Sequence, residues 1–203
     1  MIYELAHLVK ARCSFLWDFI EWGNSVAFSI RYRKGLKRLG EIVNEGVQEP
    51  YGMKVAEKGD VAKMLEFFNR QPKDSFAFFQ PHGFDEKSLR TIVGRKSFLA
   101  FLLVEHGTTE TEIIGYAFMR SFVNGASYRG YMVDMNHRGR GLATIMGFGM
   151  NRVGDALNLT MYKSISPENP ASMKATQKVC DIEILKTLEN GDYLMRCMSK
   201  PTL

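Results

Sequence analysis

Cysteine, proline and long apolar runs are all scarce in this chain, and each scarcity removes a class of protein. Three cysteines (Cys13, Cys180 and Cys197) at wide spacing form neither a disulfide framework nor a zinc pattern. A reducing, cytoplasmic setting is therefore expected. The four histidines, His7, His82, His106 and His137, show no metal-binding pair, so no metal is expected. No stretch approaches the roughly 20 apolar residues of a membrane-spanning helix. Glu4, Lys10, Arg12, Asp18 and Glu21 interrupt every early apolar run, which argues against a cleavable signal. The net charge of +5 is too small to make nucleic acid the main partner, though it suits an anionic ligand.

What remains is a globular chain of 203 residues with 45% apolar content, enough for one domain and an appendage. Residues 1–46 read as an N-terminal helical extension. Leu5, Leu8, Val9, Cys13, Leu16, Trp17 and Ile20 mark one helical stripe, with a break expected at Gly23-Asn24. A second helix is expected from Val26 to about Val43, bearing Arg31, Arg33, Lys34, Lys37 and Arg38. Two readings of this cationic segment stay open: peripheral contact with an anionic membrane, or a solvated packing arm or homodimer element.

A main domain is expected over residues 52–200, after the linker Gln48-Glu49-Pro50-Tyr51-Gly52. Met53–Ala56 reads as a strand. Helices follow from Asp60 to Asn69 and from Asp85 to Val93, each with its aspartate as cap. Strands are expected at Phe98–Val104, Ile113–Met119 and Tyr128–Met135. A long helix with the stripe Leu142, Ile145, Met146, Gly149, Met150, Val153 and Leu157 comes next. A strand at Leu159–Ile165, a helix over about 169–179 and a hairpin turning at Asn190-Gly191 complete the order β-α-α-β-β-β-α-β-α-β-β. The fold class is α+β around a mixed sheet.

The richest segment runs from Tyr131 to Thr144, where an apolar strand enters a basic glycine turn that opens a helix. The first N–H groups of a helix lack partners and carry partial positive charge. Gly139 and Gly141 permit close approach to that backbone, and Arg138 and Arg140 offer cations, so a phosphate or pyrophosphate is the expected ligand. A dinucleotide fingerprint is excluded by Thr144 in place of its third glycine and by the non-acidic Asn158-Leu159-Thr160. A Walker loop is excluded because no Gly-Lys-Ser/Thr follows.

Arg138-x-x-Gly141-x-Ala143, set in this order of elements, resembles the GNAT superfamily of acyl-CoA-dependent N-acetyltransferases. The resemblance implies a mainly antiparallel mixed sheet flanked by helices, with the N-terminal helical segment as an addition. It implies acetyl-CoA as acyl donor, its pyrophosphate held by Arg138, Gly139, Arg140, Gly141, Leu142, Ala143 and Thr144. It further implies that the preceding strand splays from its neighbour, so that Tyr131, Met132 and Val133 meet pantetheine, with the Val133 backbone polarising the thioester. Asn169-Pro170-Ala171-Ser172 matches a second family motif, which implies cofactor contact by Asn169 and Ser172; Asn-Pro is equally a good helix cap. The sequence departs from the family where Thr176 takes the place of a tyrosine acid and Cys180-Asp181 replace Gly-Phe.

The implied reaction is direct acetyl transfer to a primary amine on a small molecule, with an amino sugar as one acceptor. Protein or peptide amines, and a non-enzymatic CoA-binding module, are the competing readings. His82, in Phe78-Phe79-Gln80-Pro81-His82-Gly83-Phe84-Asp85, is the leading candidate base because histidine titrates near neutrality. Asp134, Tyr162 and Glu168 rank below it. Phe76, Phe78, Phe79 and Phe84 form either an acceptor platform or core.

Overall fold

Seven strands form one sheet in the order β1-β2-β3-β4-β5-β7-β6 in a computed structural model that describes residues 14–107 and 111–201. The strands are β1 (Tyr51–Val55), β2 (Phe98–His106), β3 (Thr111–Ser121), β4 (Ala126–Val133), β5 (Thr160–Ile165), β6 (Cys180–Thr187) and β7 (Tyr193–Ser199). Every neighbouring pair is antiparallel except β4 and β5. The α+β class and the element order read from periodicity are therefore observed.

The helices are α1 (Ser14–Arg31), α2 (Arg33–Leu36), α3 (Leu39–Asn44), α4 (Val61–Asn69), α5 (Glu86–Gly94), α6 (Leu142–Ala156) and α7 (Pro170–Val179). Two cores lie on opposite faces of the sheet. One joins α6, α7 and the N-terminal helices through Phe28, Val43, Leu103, Met146, Met150, Val153 and Val179. The other joins α4 and α5 through Met64, Phe67, Phe68, Leu89, Leu102 and Tyr116. Helix α6 packs closely because its buried side carries glycine: a Cβ at Gly147 would lie 2.8 Å from Val179 Cγ2, and one at Gly154 would lie 2.6 Å from Met161 Sδ.

Several boundaries differ from expectation. Gly23-Asn24 does not break α1, because the Asn24 amide donates to Ser121 O at 3.0 Å and its oxygen accepts from Val123 N–H at 3.0 Å. The single helix expected from Val26 to Val43 is instead interrupted after Arg31 and again after Leu36. Phe28, Leu39 and Val43 belong to the main core, so this part of the extension is packed into the domain. The earlier stripe positions, Leu5 to Trp17, lie outside the described side chains. Asp60 does not cap α4 through its side chain; Glu57 and Asp60 form a reciprocal capping box one turn earlier, and Asp60 also accepts from Lys54 Nζ at 2.7 Å. Asp85 does cap α5, accepting from Ser88 N–H at 3.0 Å. Among the described residues no helix is long and apolar enough to cross a membrane.

Candidate active site

Strands β4 and β5 start as parallel neighbours and then part. Their register runs Ala126↔Thr160, Ser127↔Met161 and Tyr128↔Tyr162, and ends there. The next residues on the two strands, Arg129 and Lys163, are both cations, and like charges side by side disfavour further pairing. A wedge opens between the strands from that point. Its main-chain polarity follows from alternation: Asp134 N–H donates to Ile114 O on β3 at 2.9 Å, so even-numbered residues of β4 bond toward β3. Gly125 O accepts from Thr160 N–H at 2.9 Å on the other side, in keeping with the same alternation. Tyr131 and Val133 therefore turn their N–H and C=O groups into the wedge, beyond the last pair with β5. Met132 faces β3, so its backbone does not line the wedge.

The wedge leads to the glycine turn. Asp134 accepts from Asn136 N–H at 2.9 Å and so fixes a tight turn over Met135–His137. Gly139 and Gly141 take φ of +80° and +79°, a left-handed conformation that favours glycine, and apart from their chain neighbours no residue comes within 4 Å of a Cβ placed at either. Helix α6 begins at Leu142 with Gly141 as an N-cap that has no side chain to cap it. Its first backward hydrogen bonds come from Thr144 N–H (2.9 Å) and Ile145 N–H (3.3 Å) to Gly141 O. Leu142 and Ala143 N–H thus stand outside the helix's own ladder, an open cradle of donors at the positive end of a 15-residue helix.

The two arginines of the turn have protein partners. Arg138 donates to Ser75 Oγ at 2.8 Å. Arg140 donates to Glu105 Oε1 and to Tyr51 Oη, each at 2.6 Å, and is drawn toward the β1–β2 edge. The donors turned outward here are the backbone groups.

Asp134 braces the turn from below. It is 1% exposed and accepts from Gln71 Nε2 (2.8 Å), Arg70 Nε (2.6 Å) and His137 Nδ1 (3.1 Å). Burial alone raises its pKa, but these donors outweigh burial and hold the carboxyl at about 2. A carboxylate so stabilised is a poor base, and Asp134 reads as a structural anchor.

His82 lies on the opposite face of the sheet, inside an aromatic cluster of Phe68, Phe84, Phe98 and Tyr116. Its Nδ1 is 2.7 Å from Gly83 O, which can only accept, so Nδ1 carries the proton. Nε2, 2.7 Å from Tyr116 Oη, is then the acceptor. Burial lowers the pKa of His82 and so favours this neutral form. Both ring nitrogens are engaged within the protein. Of the four phenylalanines proposed as a platform, Phe76, Phe79 and Phe84 pack among themselves and against Phe68 and Tyr116, while Phe78 is 53% exposed.

Sequence reasoning missed two groupings. At the vertex of the wedge, on the His82 face, Tyr128 (42% exposed) and Tyr162 have ring centroids 5.5 Å apart, with Phe122 6.1 Å from Tyr128. On the other face, Arg129, Tyr131, Lys163, Thr176, Cys180 and Cys197 gather beneath α7. Arg129 donates to Asn151 Oδ1 at 2.6 Å and to Cys180 Sγ at 2.8 Å. Lys163 Nζ donates to Thr176 Oγ1 at 3.0 Å and lies 4.0 Å from the centre of the Tyr131 ring. The legible signal was the alternation of Met161-x-Lys163-x-Ile165, which puts a lysine on a core-facing register of β5. Asn169 caps α7 by accepting from Ser172 N–H at 3.0 Å, the capping role left open by the sequence. Among the described residues no group of three His, Cys, Asp or Glu could hold a metal.

No protein-family model matches the chain, and no curated protein matches it in sequence. Solved structures match it in shape. The GNAT domain of S. lividans PAT is 12% identical with a TM-score of 0.61, covering 72% of this chain and 89% of its own. The ribosomal-protein-S5-alanine acetyltransferase of Vibrio fischeri is 18% identical with a TM-score of 0.58, covering 76% and 97%. AAC(6')-Ib in complex with paromomycin and acetyl-CoA is 14% identical with a TM-score of 0.54, covering 75% and 94%. The chain has the GNAT acetyltransferase fold.

Proposed function

We propose that this protein transfers an acetyl group from acetyl-CoA directly to a primary amine. The observation that carries this reading is the wedge between β4 and β5, continuous with the uncapped start of α6. A diphosphate fits the donors of Gly139 to Ala143, and an extended amide-bearing arm fits the unpaired main chain of Tyr131 and Val133. A thioester carbonyl at the inner end of the wedge would be polarised by the Tyr131 N–H, held rigidly by the sheet, while Val133, expected from the sequence in that role, lies nearer the glycine turn and is left to the arm. Acetyl-CoA and paromomycin bound together in a neighbour of the same fold support the assignment.

The acceptor approaches from the face that carries Tyr128 and Tyr162. Two adjacent tyrosines with exposed surface suit the flat or apolar face of a ring, which supports an amino sugar or a comparable small amine. His82 lies on this face as well; to take the amine proton it must give up its bond to Tyr116. Protein amines form the second reading, favoured by the ribosomal-protein acetyltransferase among the neighbours. A non-enzymatic CoA-binding module is the third, favoured by Thr176 being fully buried with its hydroxyl committed to Ser172 O at 2.8 Å.

The test is release of free thiol from acetyl-CoA against a panel of amino sugars, polyamines and peptides with free N-termini. Turnover with the sugars supports the first reading, and turnover with peptides alone supports the second. Binding of acetyl-CoA without turnover on any amine leaves the third.

A further inference from the structure

We propose that Lys163 forms, with Arg129 and Tyr131, a receptor for the departing thiolate of CoA, and that the Lys163 ammonium donates the proton which completes its departure. The inference rests on the acetyl-transfer reading above and adds the group that handles its leaving sulfur.

Three observations point to this site. The first is place. Lys163 and Arg129 are the residues immediately beyond the last β4–β5 pair, on the face of the sheet covered by α7. The second is unbalanced charge. Arg129 donates to Cys180 Sγ at 2.8 Å; a hydrogen bond from Cys197 and that contact hold the Cys180 thiol below the usual thiol range, so Arg129 has a countercharge. Lys163 has only a share of it: Cys197 and Cys180 favour its ammonium, but burial and Arg129 outweigh them. The groups that face it are Arg129 and Tyr131 on β4, Thr176 on α7, Cys180 at the start of β6 and Cys197 on β7. No carboxylate is among them. A buried ammonium whose direct contacts are a hydroxyl and a ring face, with a second cation beside it, is costly unless a further anion joins it.

The third observation is orphaned polarity. Among the described residues, the buried side-chain polar atoms without a well-formed hydrogen bond are Arg129 Nε and Tyr131 Oη, the second with only the Thr176 hydroxyl near it, and both are in this cluster. Buried polar groups are almost always paired, and such atoms beside a poorly compensated cation mark a place that an acceptor atom would satisfy. A sulfur arriving with negative charge satisfies both needs at once.

The step balances as follows. The amine nitrogen bonds to the carbonyl carbon, and the carbon–sulfur bond breaks with its electron pair passing to sulfur. Sulfur takes a proton from Lys163 Nζ to give the free thiol. The neutral lysine recovers a proton from solvent, which receives the one lost by the amine. Burial and the neighbouring Arg129 lower the lysine pKa to about 7, which makes it a competent acid at neutral pH where an ordinary lysine is not. Thr176, bonded to Nζ, positions the amine.

The experiment compares wild type with Lys163→Met, which keeps volume and removes the amine. Acetyl-CoA affinity is measured by calorimetry, and kcat is recorded against pH for both proteins. Acetyl-CoA affinity is expected to agree within about twofold, and wild-type kcat to fall as pH rises above the lysine's value of about 7. The variant's kcat is expected to fall about a hundredfold or more, and the alkaline limb of its pH profile to vanish. A wild-type kcat that does not fall at alkaline pH overturns the proposal whatever the variant does. A kcat and an alkaline limb that survive in a folded Lys163→Met also overturn it, while acetyl-transfer itself stands. Failure of wild type to bind acetyl-CoA at all brings down the acetyl-transfer reading and this assignment with it.

Discussion

Asp134→Asn is expected to destabilise the protein at pH 7 by roughly 2 to 3 kcal/mol. The carboxyl is buried at the end of β4 and accepts from Arg70, Gln71, His137 and the Asn136 N–H. These donors hold its pKa at about 2 against an ordinary 3.8, and each pH unit of that difference is worth about 1.4 kcal/mol. The sign follows from the depressed value. The unfolded chain binds the proton more readily, so the contribution is complete above pH 3.8 and drains away as pH falls toward 2. Asparagine keeps the shape but loses the charge that matches Arg70, which retains Glu112 at 3.0 Å as a second partner. Urea unfolding of both proteins from pH 7 down to pH 2 is the assay. The stability gap should close as the wild type is acidified. A gap that persists unchanged at the lowest pH, or no gap at pH 7, would refute the role given to this carboxylate.

Two further outcomes follow from buried polar groups. His82→Ala removes the acceptor from the buried Tyr116 hydroxyl and is expected to cost about 1 to 3 kcal/mol in urea unfolding. Acetyl-CoA affinity should stay within about twofold while kcat falls; unchanged kcat with an unchanged pH profile removes His82 from the reaction. Lys163→Met deletes a buried cation that has no carboxylate partner, so its melting temperature should equal or exceed that of wild type; a clear drop would mean that the ammonium is a structural element.

The fold was legible because its signals are local. Alternation marked the strands, the stripe Leu142–Leu157 marked α6, and Asn190-Gly191 marked the final turn, where Gly191 has φ of +86°. Local rules failed where a distant partner decided the outcome. Gly23-Asn24 reads as a breaker alone, yet Asn24 is held in α1 by the chain at Ser121 and Val123. The phenylalanines near His82 read equally as platform or core until β3 brought Tyr116 beneath them. The glycine turn was visible because its residues are contiguous. The Arg129–Lys163 cluster was not, because its members span residues 129 to 197 and meet only through strand order.

The central claim is that main-chain donors between Gly139 and Ala143 hold the diphosphate of acetyl-CoA, and calorimetric titration of wild type and Gly141→Val tests it most directly. A Cβ at Gly141 meets open space but needs φ of +79°, so the variant should fold with a loss of about 1 to 2 kcal/mol. The account predicts saturable binding of acetyl-CoA by wild type and at least about tenfold weaker binding by Gly141→Val, the loss of one charge-assisted hydrogen bond. No binding by wild type, or equal affinity in the two proteins, would contradict it.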